Sequence, residues 1–456
     1  MTPPLNTLAS SGEEPPLSAE HRYISIWRGI RDPIGLLTGL EAKYGGIVTL
    51  RQGVSYAVFH PDFIKHVLQD NHPNYEKGAR YRAALTPFMG NGLFTSEGAF
   101  WLRQRRLAQI AFQRIRTGAF DQPMRECVSQ LLDRWAVNAR SGEPVSLRED
   151  LTDATLRITL RILFSTDADR EMAALLDAVQ GVNQDLRLGA QFLPFHLPKW
   201  VPTPKRVRFA NAIKVIDNLT YKVIESRRGE RDEGSDLVGL LVQARDEATG
   251  ESMDNRQVRD EMVTFLNAGH DTVTDAVLWA LILLARNPGA KERTCREIAA
   301  TAGSGPLTGE ALHNMPYLGR VFHETLRLYP AGWAFARNAI EQDRFGKYRI
   351  PAGAMVVLSP YVTHHSPRFW DRPEVFDPDR FLPDAAASRP RFAYFPFGGG
   401  PRQCIGMGVA LMEAPLILAS ILQRFDFELV NAEGVKPSPR ISLRPDRLVR
   451  LRLIPR

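Results

Sequence analysis

The feature that most constrains the fold of this chain is a helical pattern of apolar residues from about Asn255 to Arg286. A helix of about thirty residues is unusually long for a globular protein, and the Asn287-Pro288 pair ends it. Its C-terminal half is apolar on nearly every side, so this half must be surrounded by protein. The pattern therefore predicts a long helix that runs through the interior of a large fold.

The rest of the pattern predicts a mostly α fold with a minor β part. Helical periodicity dominates up to Arg327, and a last helix is predicted over Ile405–Phe425. Short strand-like segments near the start and after Arg327 predict small antiparallel β-sheets. We expect a single domain over residues 22–456. Residues 1–21 are rich in Gly, Pro, Ser and Glu, and we expect them to form a flexible leader.

Composition excludes several classes of protein. Three cysteines in 456 residues favour a reducing compartment. The longest uncharged apolar run, Ala276–Ala285, is about half the length of a membrane span. The N-terminus does not have the pattern of a secretory signal, so we expect a cytoplasmic protein without a membrane span. We also expect it to be a monomer. A net charge of +7 without a dense basic run argues against a nucleic-acid partner.

Cys404 lies in a glycine-rich segment just before the last helical pattern, Phe397-Gly398-Gly399-Gly400-Pro401-Arg402-Gln403-Cys404-Ile405-Gly406. Glycines allow a tight turn and let the backbone approach a large flat cofactor. A helix N-terminus favours the thiolate form of a cysteine, and a thiolate is an axial ligand of haem iron. In that case Arg402 could reach a haem propionate and Phe397 could shield the sulfur. The alternative is a glycine-rich loop with a buried free thiol.

The long helix contains Ala268-Gly269-His270-Asp271-Thr272. A glycine inside a helix costs about 1 kcal/mol relative to alanine, and close approach of a ligand is one reason to keep it. Thr272 can bond a carbonyl of its own helix, and an acid beside an alcohol can deliver protons. The alternative is a packing notch with Asp271 in an ordinary salt bridge. His270 is not expected to bind a metal, because no second ligand follows one turn later.

Two further sets of residues carry charge at suggestive positions. Glu324 and Arg327 share a helix face, and Arg380 follows in a segment of prolines and aromatics, so the three could form one buried network. Trp101 and Arg105 are one helical turn apart, and with Arg337 they could bind two carboxylates. Taken alone, each set could equally be an ordinary feature of a helix surface.

In this order and spacing, these residues resemble the cytochrome P-450 family of haem-thiolate monooxygenases, of the soluble bacterial type. The resemblance spans nearly the whole chain and implies the cytochrome P-450 fold with haem b. It implies Cys404 as the iron ligand and Asp271 and Thr272 as the catalytic acid–alcohol pair. It implies Glu324, Arg327 and Arg380 as a structural triad. The implied cofactor contacts are Trp101, Arg105, Ala268, Gly269, Arg337, Phe397, Gly398, Arg402, Cys404 and Gly406. Val273 departs from the family, since many members have a second threonine there.

The implied activity is the insertion of one atom of O₂ into a substrate while the other atom leaves as water. The remaining sequence has no flavin- or nicotinamide-binding segment, so electrons from NAD(P)H are expected through a ferredoxin or flavodoxin with its reductase. One alternative is a peroxide-driven haem-thiolate peroxygenase. Such enzymes typically lack the acid–alcohol pair. A non-catalytic haem protein is the other alternative.

The resemblance also implies where the substrate binds. The corresponding residues are mostly apolar or aromatic, which favours a lipophilic substrate such as a terpenoid, a fatty acid or a steroid. They are Phe88, Met89, Leu93, Phe94, Leu188, Phe192, Phe195, Leu266, Trp333 and Phe335. The segment Phe192–Trp200 is either an access lid or a packed loop.

Overall fold

The structure is a computed structural model that describes residues 13–18, 22–114, 120–165, 178, 203–229, 236–247 and 249–456. Its α-helices, in chain order, are α1 (Arg22–Arg31), α2 (Pro33–Tyr44), α3 (Pro61–Lys65), α4 (Ala79–Met89), α5 (Gly98–Arg114), α6 (Asp121–Ser141), α7 (Leu147–Phe164), α8 (Pro204–Gly229), α9 (Leu237–Gln243), α10 (Asn255–Arg286), α11 (Pro288–Ala302), α12 (Gly309–His313), α13 (Pro316–Leu328), α14 (Pro360–His364), α15 (Pro383–Ala387) and α16 (Met407–Arg424).

Its strands are short, as predicted. They are β1 (Ile47–Arg51), β2 (Ser55–Val58), β3 (Tyr75–Glu76), β4 (Val145–Ser146), β5 (Phe335–Ala339), β6 (Asp343–Phe345), β7 (Tyr348–Ile350), β8 (Met355–Leu358), β9 (Phe425–Val430), β10 (Pro437–Pro439), β11 (Leu443–Pro445) and β12 (Arg450–Pro455). The chain is therefore mostly helical with a minor β part.

The chain packs into two compact units, each built from separate stretches of sequence. Unit 1 consists of Met1–Ala79, Gly332–Val375 and Pro383–Cys404, and unit 2 of Arg80–Ala331, Phe376–Leu382 and Ile405–Arg456. The Cys404 segment ends unit 1, and the long helix α10 belongs to unit 2.

A five-stranded sheet in the order β1-β2-β8-β5-β3 organises unit 1. Most of its pairs are antiparallel, as predicted, and β2 and β8 pair in parallel. The buried side chains of Tyr56, Val58, Val356 and Leu358 anchor it in an apolar cluster.

Part of the predicted leader is attached to unit 1. The Ser18 N–H donates to the Thr49 carbonyl at 2.9 Å, and the Glu13 N–H donates to the Lys347 carbonyl at 3.0 Å. Unpaired backbone groups of short strands attract such pairing. Residues 13–18 are therefore hydrogen-bonded to unit 1, and the rest of the leader lies outside the described residues; the flexibility of the leader stays a prediction.

Helix α10 has the predicted bounds, Asn255–Arg286, and organises unit 2. It begins with a reciprocal capping box, in which the Asp254 side chain accepts from the Gln257 N–H and the Gln257 side chain accepts from the Asp254 N–H. It packs against α7, α8, α13 and α16. Trp279 stacks on Tyr329 with ring centroids 3.7 Å apart. Burial on many sides explains why its sequence is apolar nearly all round.

Two described helices, α10 and α16, are long and apolar enough to meet a simple criterion for a membrane span. In the structure, 72% of the apolar window of α10 and 56% of that of α16 is buried. Burial inside the fold accounts for their hydropathy, as in other core helices.

Candidate functional site

The Cys404 loop, residues 397–404 of unit 1, is fixed by short contacts. The Cys404 N–H donates to the Phe397 carbonyl at 2.9 Å. Gly398 and Gly400 have φ values of +70° and +63°, which disfavour any other residue. A Cβ on Gly400 would also lie 1.8 Å from the Leu68 carbonyl oxygen. Gly398 is therefore required for its backbone conformation alone. Gly400 is required both for its conformation and for lack of space.

The two other glycines of the segment have different requirements. A Cβ on Gly399 would lie 2.3 Å from the ring of Phe392, so this position needs the small residue for space. Gly406 is the N-cap of α16 with a φ of −82°, a conformation open to any residue. The turn itself therefore does not explain Gly406, and its predicted contact with a cofactor stays a prediction.

The thiol of Cys404 is exposed, in contrast to the other cysteines. Cys127 is buried and Cys295 is half-buried. Burial raises the pKa of the Cys127 thiol to about 11, which makes it a poor ligand or nucleophile. Among the three cysteines, Cys404 is the one whose sulfur is held by a shaped loop and remains accessible.

Two helices of unit 2 have partly accessible apolar segments inside otherwise buried sequence. In α16 and the residues just before it, 405–412 are half-buried, whereas 413–422 are buried. In α10, residues 261–267 and 273–284 are buried, but Ala268 is exposed and Gly269, Asp271 and Thr272 are half-buried. Accessible surface at these points is what a large, mostly apolar cofactor or substrate would cover.

Within α10, Thr272 bonds its own helix as predicted. Its hydroxyl donates to the Ala268 carbonyl at 2.9 Å, which leaves the oxygen lone pairs available to accept a hydrogen bond. At Gly269 the structure shows the packing notch that was the alternative to a ligand contact. A Cβ there would lie 3.1 Å from the side chain of Thr159 on α7, so a tight helix–helix contact accounts for the glycine. A cofactor contact by its backbone stays a prediction.

Asp271 takes part in an ion-pair network whose other members could not be identified from the sequence. Arg148 donates from Nη2 to Asp271 Oδ1 at 2.9 Å and from Nε to Asp275 Oδ1 at 3.3 Å. The Ser442 hydroxyl donates to the other carboxylate oxygen of Asp275. Burial raises the pKa of Asp275 to about 6, and the positive charge of Arg148 opposes this shift. Asp271 is thus both half-exposed and tied to a buried charge cluster.

Glu324, Arg327 and Arg380 come together in unit 2. Arg327 donates from Nε and Nη2 to the two oxygens of Glu324 at 2.7 and 2.8 Å, and both side chains are completely buried. The Asp377 N–H donates to Glu324 at 2.9 Å, and Arg380 Nε lies 3.5 Å from the same carboxylate. Burial raises the pKa of Glu324, and the bonds from Arg327 oppose the shift. This multiply bonded cluster fixes the end of α13 against the segment 376–382.

The predicted propionate contacts are divided between the units. Trp101 is buried and Arg105 half-buried on α5 of unit 2. In unit 1, Arg337 on β5 donates from Nη1 to the Ala336 carbonyl at 2.9 Å, and Arg402 ends a 3₁₀ turn of the Cys404 loop. Their predicted role with a cofactor stays a prediction.

The predicted substrate residues also belong to both units or lie outside the described residues. In unit 2, Phe88, Met89, Leu93 and Leu266 are buried and Phe94 is exposed. Trp333 and Phe335 of unit 1 are half-buried. Leu188, Phe192 and Phe195, together with the possible lid Phe192–Trp200, lie outside the described residues.

A second glycine-containing turn was missed by sequence reasoning. It is the 90–93 turn, Gly90-Asn91-Gly92-Leu93, which lies against the first half of α10. The Asn91 N–H donates to Asp260 at 2.7 Å, and the Leu93 N–H donates to Glu261 at 2.9 Å. The sequence contains two signals, the Asn91-Gly92 pair and the acidic pair Asp260-Glu261 in a helix predicted to be buried. Nothing in the sequence indicates that these two segments meet.

Comparison with known proteins agrees with this architecture. The cytochrome P450 family model matches residues 16–451. Cyclooctatin synthase of Streptomyces melanosporofaciens is 34% identical, with 91% of this chain and 89% of the relative covered. Pentalenene oxygenase of Streptomyces avermitilis is 30% identical, with 94% of each chain covered. The crystal structure of the cytochrome P450DA heme domain superposes with a TM-score of 0.87 at 25% identity, covering 98% of both chains.

The chain therefore belongs to the cytochrome P450 family. It is an oxidoreductase that incorporates oxygen, and its family implies a haem-thiolate cofactor. The residues present fit such a cofactor, since one exposed thiol is offered by a rigid loop. Among the residues that the structure describes, no three His, Cys, Asp or Glu side chains are placed to share a metal ion. Haem would supply the equatorial iron ligands from its own macrocycle.

Proposed function

We propose that this chain is a haem b monooxygenase that oxidises a cyclic, terpenoid-like lipophile, with Cys404 as the iron ligand. The observation that carries the proposal is the exposed Cys404 thiol on a loop that two positive-φ glycines and a backbone contact hold in one shape. Haem, when bound, would supply the activation of dioxygen that a monooxygenase needs. The surrounding residues orient it, exclude water and supply protons.

Asp271 and Thr272 are proposed to handle protons. Because the Thr272 hydroxyl gives its hydrogen to the Ala268 carbonyl, its oxygen can accept a hydrogen bond from a water molecule. Asp271 is half-exposed and bonded to Arg148, so it can exchange protons with solvent while its carboxylate is held in place. This pair favours a monooxygenase over a peroxide-driven enzyme, which has no need of delivered protons.

A terpenoid-like substrate is supported by the names of the relatives and by the lining. One relative is named for pentalenene, and Cyclooctat-9-en-7-ol 5-monooxygenase of Streptomyces melanosporofaciens, 30% identical, is named for another cyclic and mainly hydrocarbon compound. The described candidate lining residues are apolar or aromatic. Such a lining binds hydrocarbon rings by burial of apolar surface and offers few polar groups to reject them.

Electrons are proposed to come from NAD(P)H through a separate ferredoxin or flavodoxin with its reductase, in the cytoplasm. The proposal is supported by membership of the cytochrome P450 family, whose model matches residues 16–451. Reduction by a partner of opposite charge should weaken as salt is added, because screening shortens the range of the attraction.

The test is product formation by the haem-loaded protein under two supplies of oxidant. Pentalenene, lauric acid and progesterone are each incubated with NADPH, ferredoxin and ferredoxin reductase, or with hydrogen peroxide alone. We expect an oxygenated product from pentalenene with the redox system and less with peroxide. Thr272→Ala should uncouple electron use from product, since its hydroxyl is lost. A product from lauric acid but not from pentalenene would overturn the substrate class. Equal amounts of product with peroxide and with the redox system would overturn the electron route.

A further inference from the structure

The 90–93 turn is built to lie in direct contact with α10. Gly90 has a φ of +58°, and a Cβ there would lie 2.0 Å from the carboxylate of Asp260. A Cβ on Gly92 would lie 2.3 Å from the Thr264 hydroxyl and 2.5 Å from the Asp260 carbonyl oxygen. Two glycines thus let the backbone approach the helix closely enough for its N–H groups to bond Asp260 and Glu261. The position of this turn is set by α10 and not by its own sequence alone.

Arg259, next to these two acids, reaches in two directions. Its Nη1 donates to the Phe88 carbonyl and to Asp260, at 3.0 Å each. Its Nε donates at 2.7 Å to Asp217 on α8, and its Nη2 donates to the same oxygen. The planar guanidinium can serve both sides at once because its donors point along fixed, different directions. One side chain therefore joins α8 to the end of α4, where the 90–93 turn begins.

The two sides of the Arg259 contact, called here the Asp217 arm and the Asp260 arm, differ in exposure to solvent. The side chain of Arg259 is 8% exposed and that of Asp260 7%, whereas that of Asp217 is 31% exposed. A charge pair that water reaches is weaker and opens more easily than one in the interior. The arm to α8 is therefore the one that opens first. Phe88 adds an apolar contact to α8, with its ring centroid 6.4 Å from that of Phe209.

We propose that Arg259 is a positioning residue for the substrate site, a clasp that couples α8 to the segment Phe88–Leu93. When Asp217 is bound, Arg259 holds the Phe88 carbonyl and Asp260, and the 90–93 turn is held in one place. When the Asp217 arm opens, both α8 and the turn gain freedom together. The proposal rests on the proposed function in one respect, namely that Phe88, Met89 and Leu93 line the path of the substrate.

The test uses the haem-loaded full chain and the variant Asp217→Asn, which keeps the shape of the side chain and removes its charge. Imidazole serves as a small probe of the ferric haem and clotrimazole as a bulky one, with binding rates followed by stopped-flow absorbance. We expect clotrimazole association and dissociation in Asp217→Asn to rise about five-fold, which corresponds to a barrier to opening lower by about 1 kcal/mol, the upper end for a partly exposed ion pair. Imidazole rates should stay unchanged, because a small ligand does not need α8 to move.

Two further variants make the comparison specific. Arg259→Lys keeps the charge but loses the fork, so its clotrimazole rates should lie between wild type and Asp217→Asn. Asp133→Asn is the matched control, since Asp133 accepts a hydrogen bond from Arg424 at 2.7 Å on another surface of unit 2. Its rates with both probes should equal those of wild type. Thermal unfolding of Asp217→Asn close to that of wild type would separate the effect from general destabilisation.

Hydrogen–deuterium exchange tests the coupling itself and needs no haem ligand. In Asp217→Asn we expect faster exchange both in α8 and in the peptide that contains the 90–93 turn. Faster exchange in α8 alone, or unchanged clotrimazole rates, would overturn the clasp. A wild-type protein in which neither probe shifts the haem spectrum would contradict the proposed function instead, and the exchange result would still decide the coupling.

Discussion

The Cys404 loop and the 90–93 turn both depend on glycine, but in different ways. In the Cys404 loop, positive φ values shape the backbone locally, one glycine also makes room for the distant Leu68 carbonyl, and the cysteine side chain is left exposed. In the 90–93 turn, the glycines make room for Asp260 and Thr264 of a helix about 170 residues further along the chain. The first loop can be recognised from its sequence, whereas the role of the second can be recognised only from its tertiary contacts.

The largest loss of stability from a single substitution is expected in the Cys404 loop. Gly400→Ala should cost about 3–4 kcal/mol in free energy of unfolding, because the backbone strain of a positive φ adds to a clash with a carbonyl that cannot move freely. Gly398→Ala is the matched control, since it has a similar φ but nothing within 4 Å of its Cβ position. It should cost only about 1–2 kcal/mol. Urea unfolding of the two variants measures the difference, and equal costs would show that the contact with Leu68 does not shape the loop.

A pH-dependent effect distinguishes two buried acids of unit 2, one bonded to the 90–93 turn and the other on α16. Glu261 accepts a hydrogen bond from the 90–93 turn. Glu413 of α16 is buried, and its Oε1 has no hydrogen-bond partner among the described residues. Burial raises the pKa of Glu413 to about 8. A raised folded-state pKa means that the native state holds the proton more tightly, so stability falls as pH rises from the unfolded-state pKa toward 8.

Glu413→Gln should remove that dependence. We expect the free energy of unfolding of the variant, relative to that of wild type, to rise by up to about 1.4 kcal/mol per pH unit between pH 5 and 8. Above pH 8 the difference should change little. Thermal melts across this range measure it. Glu261→Gln is the contrasting variant and should destabilise at every pH in the range, since it weakens an acceptor already in use. A parallel pH response of wild type and Glu413→Gln would show that Glu413 is ionised in the folded protein.

Sequence reasoning predicted what depends on local pattern. The bounds of α10 and the mostly helical class follow from periodicity and a stop signal. The joining of Glu324 to Arg380 was expected only as a possibility and is present in the structure. The pairing of Arg148 with Asp271, and the clasp at Arg259, could not be predicted. Each joins residues far apart in sequence whose separate settings look like ordinary charged helix surface. The sequence offered both a ligand contact and a packing notch for Gly269; the structure shows that Thr159 packs there, and the ligand contact stays a prediction.

The most direct test of the account is the spectrum of the reduced carbon monoxide complex of Cys404→Ser. We expect the variant to fold and to lose the red-shifted Soret band that a thiolate ligand produces, because serine does not supply a thiolate. Cys127→Ser and Cys295→Ser should keep that band, since neither thiol belongs to the shaped loop. Persistence of the red-shifted band in Cys404→Ser would show that another residue binds the iron, and it would contradict the assignment on which the proposed activity depends.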